Sequence, residues 1–125
     1  MRGTVLVIDD DPGIRQSLGE FLEAEGYKVL SASHGREALA VLEDELPNLL
    51  LIDVAMPVMS GWKLVEALSH YPDLARIPRL LMGEREHVDA VSRRMPRVIE
   101  KPLNLGRLGP TIAAAVRPPV ASAAA

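Results

Sequence analysis

The sequence predicts an α/β domain with a doubly wound, five-stranded parallel sheet and five helices. Three observations carry that prediction. Five short apolar runs recur along the chain. They are continuously hydrophobic rather than alternating, as suits strands buried on both faces. Between them lie stretches with apolar residues three and four apart, the spacing of one helix face. Strands alternating with helices in one small domain require a parallel sheet with right-handed crossovers.

Each element has its own signal. Thr4 to Ile8 is apolar and β-branched, the first strand. Asp11-Pro12 reads as an N-cap followed by the first helical position, where proline's missing N–H costs nothing. Ile14, Leu18, Phe21 and Leu22 then form one helical stripe, and Gly26 closes that helix in a left-handed conformation. Lys28 to Ala32 is the second strand. Ala38, Leu39, Leu42 and Leu46 form the next stripe, stopped by Pro47. Leu49 to Ile52 is the third strand, ending at Asp53. Ser60 precedes a helix with Leu64, Val65 and Leu68 inward, which ends before Pro72. Arg79 to Met82 is the fourth strand. A helix with a weaker pattern is expected from Glu84 to Arg94, carrying Val88 and Val91. Arg97 to Glu100 is the fifth strand, and a last helix runs near Leu105 to Val116. Gly109-Pro110 is expected to kink that helix or delay its start. The domain is thus expected over residues 1–117, with 118–125 a Pro/Ala-rich disordered tail.

The totals exclude several classes. At 125 residues and 13.6 kDa the chain suits one domain that folds without staples. It has no Cys, so disulfides and thiolate metal sites are absent. No apolar run reaches the ~18 residues of a membrane span, and MRGTVLVIDDD meets carboxylates too early for a signal peptide. A cytoplasmic location is the expectation. Aromatic residues are 3%, too few for stacking on nucleobases. The net charge of −3 hides an asymmetry: residues 1–60 carry −7 and residues 61–125 carry +4.

The charges have positions. In an open parallel sheet, ligands bind beyond the carboxyl ends of the strands. Asp9 and Asp10 follow the first strand, Asp53 the third and Lys101 the fifth. One Asp after a strand is ordinarily a turn or cap residue, which accounts for Asp11. Three acids and a lysine at the ends of three strands need another reason. Two carboxylates ~4 Å apart repel by about 4 kcal/mol at an effective dielectric of ~20. Three in one crevice therefore need a cation or raised pKa values. Lys101 supplies one positive charge, and a hard divalent cation matches the remainder. An all-oxygen donor set favours Mg²⁺. A carboxylate beside Mg²⁺ and lysine is placed to attack phosphorus.

The stretches VLVIDDDPGIRQSL, LLLIDVAMPVMSGW and IEKP together resemble the receiver domain of two-component response regulators. The resemblance covers roughly residues 4–116. It implies a flavodoxin-like strand order, 2-1-3-4-5. It implies Asp53 as phosphoacceptor, with Asp9, Asp10, Asp53 and the backbone carbonyl of Ala55 holding Mg²⁺. Lys101 would bind the phosphoryl group, and Pro102 would follow it through a cis bond. Met56-Pro57 and Gly61 would shape the loop beside the site. The implied partners are a sensor histidine kinase or phosphotransfer protein, and an output protein whose identity is unknown. The protein would be a monomer or weak dimer. It would catalyse only its own phosphoryl transfer and dephosphorylation, without turnover as an enzyme. Its output would pass through the domain's own surface, since no DNA-binding segment is recognisable.

The match fails at three positions. Receivers carry Ser or Thr at the end of strand 4, then a small residue; here Gly83 and Glu84 stand there as neighbours of the phosphate site. They carry an aromatic residue three before the lysine; here it is Val98. The conventional relay from phosphate to the strand 4–helix 4–strand 5 face is therefore missing, although Gly83 still offers a backbone N–H to a phosphate oxygen. Arg76, Arg79, Arg85, Arg93, Arg94 and Arg97 cluster on that face, which either docks an acidic partner or is a solvated, locally paired surface. Trp62 is expected to pack, and His34, His70 and His87 to be surface residues. The alternative to a phosphoacceptor is a receiver fold used as a phosphorylation-independent docking module. A phosphatase reading of Asp9-Asp10-Asp11 fails at Gly13, where such enzymes place Thr or Val.

Overall fold

The computed structural model describes residues 2–56, 59–84 and 98–116. Five strands form one parallel sheet: β1 Thr4–Ile8, β2 Lys28–Ala32, β3 Leu49–Asp53, β4 Arg79–Gly83 and β5 Val98–Glu100. Their order is β2-β1-β3-β4-β5, as the resemblance implied. Among the described residues the helices are α1 Pro12–Ala24, α2 Gly35–Asp44, α3 Gly61–Leu68, a single turn α4 Pro72–Ala75, and α5 Leu105–Ala115. The helix expected from Glu84 to Arg94 and the tail at 118–125 lie outside the described residues, as do Pro57, His87, Arg85, Arg93, Arg94 and Arg97.

Strand alternation divides the core into two layers. Leu6, Ile8, Leu50, Ile52 and Leu81 face α2 and α3, packing on Ala38, Leu42, Leu64 and Leu68. Val5, Val7, Leu49, Leu51, Leu80 and Met82 face α1 and α5, packing on Leu18, Leu22, Leu108 and Ile112. β1 and β3 are buried along their whole length. Each such Leu or Ile contributes roughly 1.5–3 kcal/mol by leaving water. The sheet is thus most rigid where the two acid-bearing strands end. β2, at the edge, is largely exposed or half-buried.

The caps follow the sequence. Asp11 accepts from the N–H groups of Gly13 at 2.8 Å and Ile14 at 3.3 Å, starting α1. At its far end Gly26 takes φ +95°, and the N–H of Tyr27 returns to the carbonyl of Leu22. That is the double turn-back expected of a glycine-closed helix.

Several expectations need correction. α2 stops at Asp44, Glu45 is extended, and Leu46 is 52% exposed rather than part of the core stripe. Pro47 disfavours helical geometry at the residue before it, so the stripe ends early. α3 ends at Leu68, before Pro72 as expected, but Pro72 begins a separate turn, α4, that was not expected. Proline at a first helical position is the signal that was there to read. Pro110 lies inside α5 and does not delay it, since that helix begins at Leu105 behind the Asn104 cap. His34 caps α2, its Nδ1 accepting from the Glu37 N–H at 3.1 Å. Arg79 is not offered to a partner: its guanidinium donates to the carbonyls of Leu74, Ala75 and Ile77. It ties α4 to the start of β4, at the sheet edge opposite the acids. His70 is exposed, as expected, and Trp62 is half-buried in α3.

Candidate phosphoacceptor site

Parallel strands in register bring their carboxyl ends to one edge. Ile8 of β1 lies beside Ile52 of β3, so Asp9 and Asp53 emerge side by side. Gly83 pairs with Glu100, so Lys101 leaves β5 at the same edge. One carboxylate oxygen from each of Asp9, Asp10 and Asp53 lies within 4.8 Å of the others. Asp9 is fully buried, Asp53 is 4% exposed and Asp10 is exposed.

Asp9 is held from four directions. Its Oδ1 accepts from the Asp11 N–H at 2.9 Å, and its Oδ2 accepts from Lys101 Nζ at 2.9 Å. Its carbonyl accepts from the Arg15 guanidinium at 2.8 Å, and its N–H donates to Ala32. Asp53 is held more loosely. Its Oδ1 accepts from the Ala55 N–H at 3.3 Å and lies 3.6 Å from Lys101 Nζ. Asp9 is thus committed on both oxygens within the protein, while Asp53 and Asp10 keep acceptor capacity for an incoming group.

The electrostatics follow from crowding. Burial, then the Asp9 carboxylate, then Asp10 push Asp53 up from 3.8 to about 7, against the pull of Lys101 and the Ala55 N–H. Burial acts to lower the Lys101 ammonium, but Asp9 and Asp53 outweigh it and raise Lys101 above its ordinary 10.5. One ammonium does not neutralise three carboxylates. The donors are all oxygen, the set that octahedral Mg²⁺ takes, and one oxygen from each acid lies within 4.8 Å of the others. The residues fit such a cation.

A glycine sets the floor of the site. A Cβ on Gly61 would lie 2.3 Å from the Asp53 carbonyl oxygen and 2.8 Å from Val54 Cα. Only glycine lets the start of α3 lie against the end of β3, where the Gly61 N–H donates to the Val54 carbonyl at 3.1 Å. Met56 is buried in the core beneath this loop, Ala55 is exposed at its start, and Met59 lies against Gly35.

Of the residues expected here, Asp9, Asp10, Asp53 and Lys101 converge. The Lys101-Pro102 bond is cis, as the resemblance implied. Gly83 ends β4, its carbonyl accepting from the Lys101 N–H at 2.8 Å. Arg15 was missed. Its position one turn into α1 marked it as helical, but nothing in the spacing aimed it back at β1. Beside the acids a cleft of about 670 Å³ runs between α1 and the segment after β5. Ile14, Leu18, Leu103 and Leu105 give it apolar walls, and Asp11, Glu84 and Lys101 lie at its polar end.

Known proteins resemble this chain in sequence and fold. The family model for the response regulator receiver domain matches residues 5–113. The chain is 39% identical over 80 residues to a probable transcriptional regulator, ycf27, of Pyropia yezoensis, covering 64% of this chain and 33% of that protein. It spans less than two thirds of the length of such curated relatives. Among solved structures it resembles the chemotaxis response regulator CheY4 of Vibrio cholerae, with TM-score 0.79, 30% identity, and 90% and 98% of the two chains covered. It also resembles the response regulator TrrA of Thermotoga maritima in complex with Mg²⁺-BeF, with TM-score 0.77, 28% identity, and 90% and 98% covered. Sheet order, converging acids, lysine with its cis proline and family match agree: the chain belongs to the response regulator receiver domains of two-component signalling.

Proposed function

We propose that this receiver takes a phosphoryl group onto Asp53 from the phosphohistidine of a sensor kinase or phosphotransfer protein, with Mg²⁺ bound, and signals by protein–protein contact. One observation carries the proposal. The buried Asp53 carboxylate lies within reach of two further carboxylates and a lysine at the carboxyl edge of the sheet, where Asp10 is exposed. A docking surface alone has no need of a buried carboxylate held near pKa 7, which costs the fold stability at neutral pH.

The chemistry balances with these residues. A carboxylate oxygen of Asp53 forms a bond to phosphorus as the P–N bond to histidine breaks, and the imidazole leaves with a proton from solvent. Lys101 holds its ammonium beside Asp53 and offers it to the phosphoryl oxygens. Asp10, Asp53 and the carbonyl of Ala55, with Asp9 behind them, would hold Mg²⁺. That ion supplies charge neutralisation on the equatorial oxygens and keeps Asp53 ionised. Gly83 brings no hydroxyl to the phosphoryl group, and its main chain is paired to β5. The reaction is the protein's own modification and its reversal, not turnover.

The test is a titration with Mg²⁺ and beryllofluoride followed by amide NMR, with acetyl phosphate and a phosphate-affinity gel in parallel. The expected result is a saturable shift around Asp53 and a slower band, both absent in Asp53→Ala. A wild-type protein that never responds, or an Asp53→Ala protein that responds equally, overturns the proposal. The TrrA complex with Mg²⁺-BeF supports the choice of probe.

A further inference from the structure

We infer that Glu84 is a charge-specificity residue of the donor cleft, selecting phosphohistidine donors that carry lysine or arginine beside the histidine. The inference rests on the phosphoacceptor reading and names which donor that site prefers.

The cleft has two chemically distinct parts. Its walls are apolar, from Ile14 and Leu18 of α1 and Leu103 and Leu105 after the cis proline. Its polar end carries Asp11, Glu84 and Lys101. The lysine is turned inward: Nζ is engaged by Asp9 at 2.9 Å and Asp53 at 3.6 Å, and its side chain is 11% exposed. Asp11 is spent on capping α1, where the helix dipole offsets its charge. Glu84 differs from both. It is exposed, and none of the hydrogen bonds or ion pairs among the described residues engages it. Its place is fixed, because Gly83 is paired to β5 and the Lys101 N–H donates to the Gly83 carbonyl.

An incoming donor that enters this cleft therefore meets a carboxylate that no described residue engages, in the same cleft as Lys101. A donor with a cation next to the phosphohistidine pairs that cation with Glu84, while an acidic donor adds a second repulsion. Such steering by exposed charge changes rates most at low ionic strength and is screened by salt.

The experiment measures transfer to Asp53 from two phosphohistidine peptides, Lys-flanked and Glu-flanked, in wild type, Glu84→Gln and Glu84→Lys. Glu84 is exposed, so neither variant threatens the fold. In 20 mM salt the wild type should favour the Lys-flanked peptide by about 10-fold. Glu84→Gln should cut that ratio about 3-fold, Glu84→Lys should cut it further or reverse it, and 0.5 M salt should collapse the differences. Equal ratios in all three proteins, or ratios insensitive to salt, overturn the inference while labelling of Asp53 upholds the phosphoacceptor reading. Absence of Asp53 labelling by both peptides and by acetyl phosphate overturns that reading, and the inference with it.

Discussion

The carboxyl edge of the sheet has two unlike halves. On the β1–β3 side, Asp9 is gripped by Asp11, Arg15, Lys101 and Ala32, and Gly61 presses α3 against Asp53. On the β4–β5 side, Gly83 has no side chain, Glu84 is exposed, and Val98 is a small half-buried residue against the core. Lys101 belongs to the second half by chain position but to the first by contact. The difference teaches that the charged residues of this edge are tied down by specific partners, whereas the β4–β5 side rests on strand pairing and packing. The acids require their surroundings, because a buried carboxylate without partners is costly. The β4–β5 side is held by strand pairing and by Val98 against the core.

The sharpest way to break the first half is Asp53→Ala, which should abolish phosphorylation by every donor, read on the phosphate-affinity gel. Lys101→Ala comes next. It leaves Asp9 and Asp53 facing each other without a cation, and should cost about 3–4 kcal/mol at pH 8 in the absence of Mg²⁺. Urea unfolding at pH 8 and pH 5 checks this, with a smaller loss at pH 5, where Asp53 holds its proton. Gly61→Ala should cost about 3 kcal/mol and weaken Mg²⁺ binding, since the methyl must displace the Asp53 backbone. Calorimetric Mg²⁺ titration against wild type tests the second part.

Asp53 makes a pH prediction with an unusual sign. Its folded pKa, about 7, is above the ordinary 3.8. Between those values the fold keeps a proton that the unfolded chain has lost. Stability therefore falls as pH rises from about 4 to about 7, on the order of 2–4 kcal/mol for the apo protein. Mg²⁺ should restore much of it at pH 8 and little at pH 4.5. Asp53→Asn should flatten the profile and be more stable than wild type at pH 8 without Mg²⁺. A thermal-denaturation series that stays flat in wild type would contradict this. The smallest effect is on the other half: Val98→Ala should cost about 1 kcal/mol in urea and leave Mg²⁺ affinity unchanged.

Much of this architecture was legible in the chain. Strand positions came from continuous apolar runs, because burial on both faces leaves no room for polar residues. The site acids came from their place one step past those runs. What failed to show depended on partners distant in sequence. Leu46 fits a helical stripe in spacing, yet Pro47 removes it from the helix. Arg79 reads as a surface charge until α4 offers it three carbonyls, and His34 reads as solvent-facing until α2 begins beside it.

The sequence by itself determined the doubly wound class, the strand ends at Asp9, Asp53 and Lys101, and the absence of a hydroxyl at Gly83 and an aromatic ring at Val98. These are properties of local pattern and residue chemistry. Only the tertiary structure decided that Lys101 spans Asp9 and Asp53, that Arg15 turns back to hold the Asp9 carbonyl, that Gly61 must lack a Cβ, and that Glu84 lines the cleft beside the acids. Each of those is a distance between residues on different elements, set by strand register and helix packing.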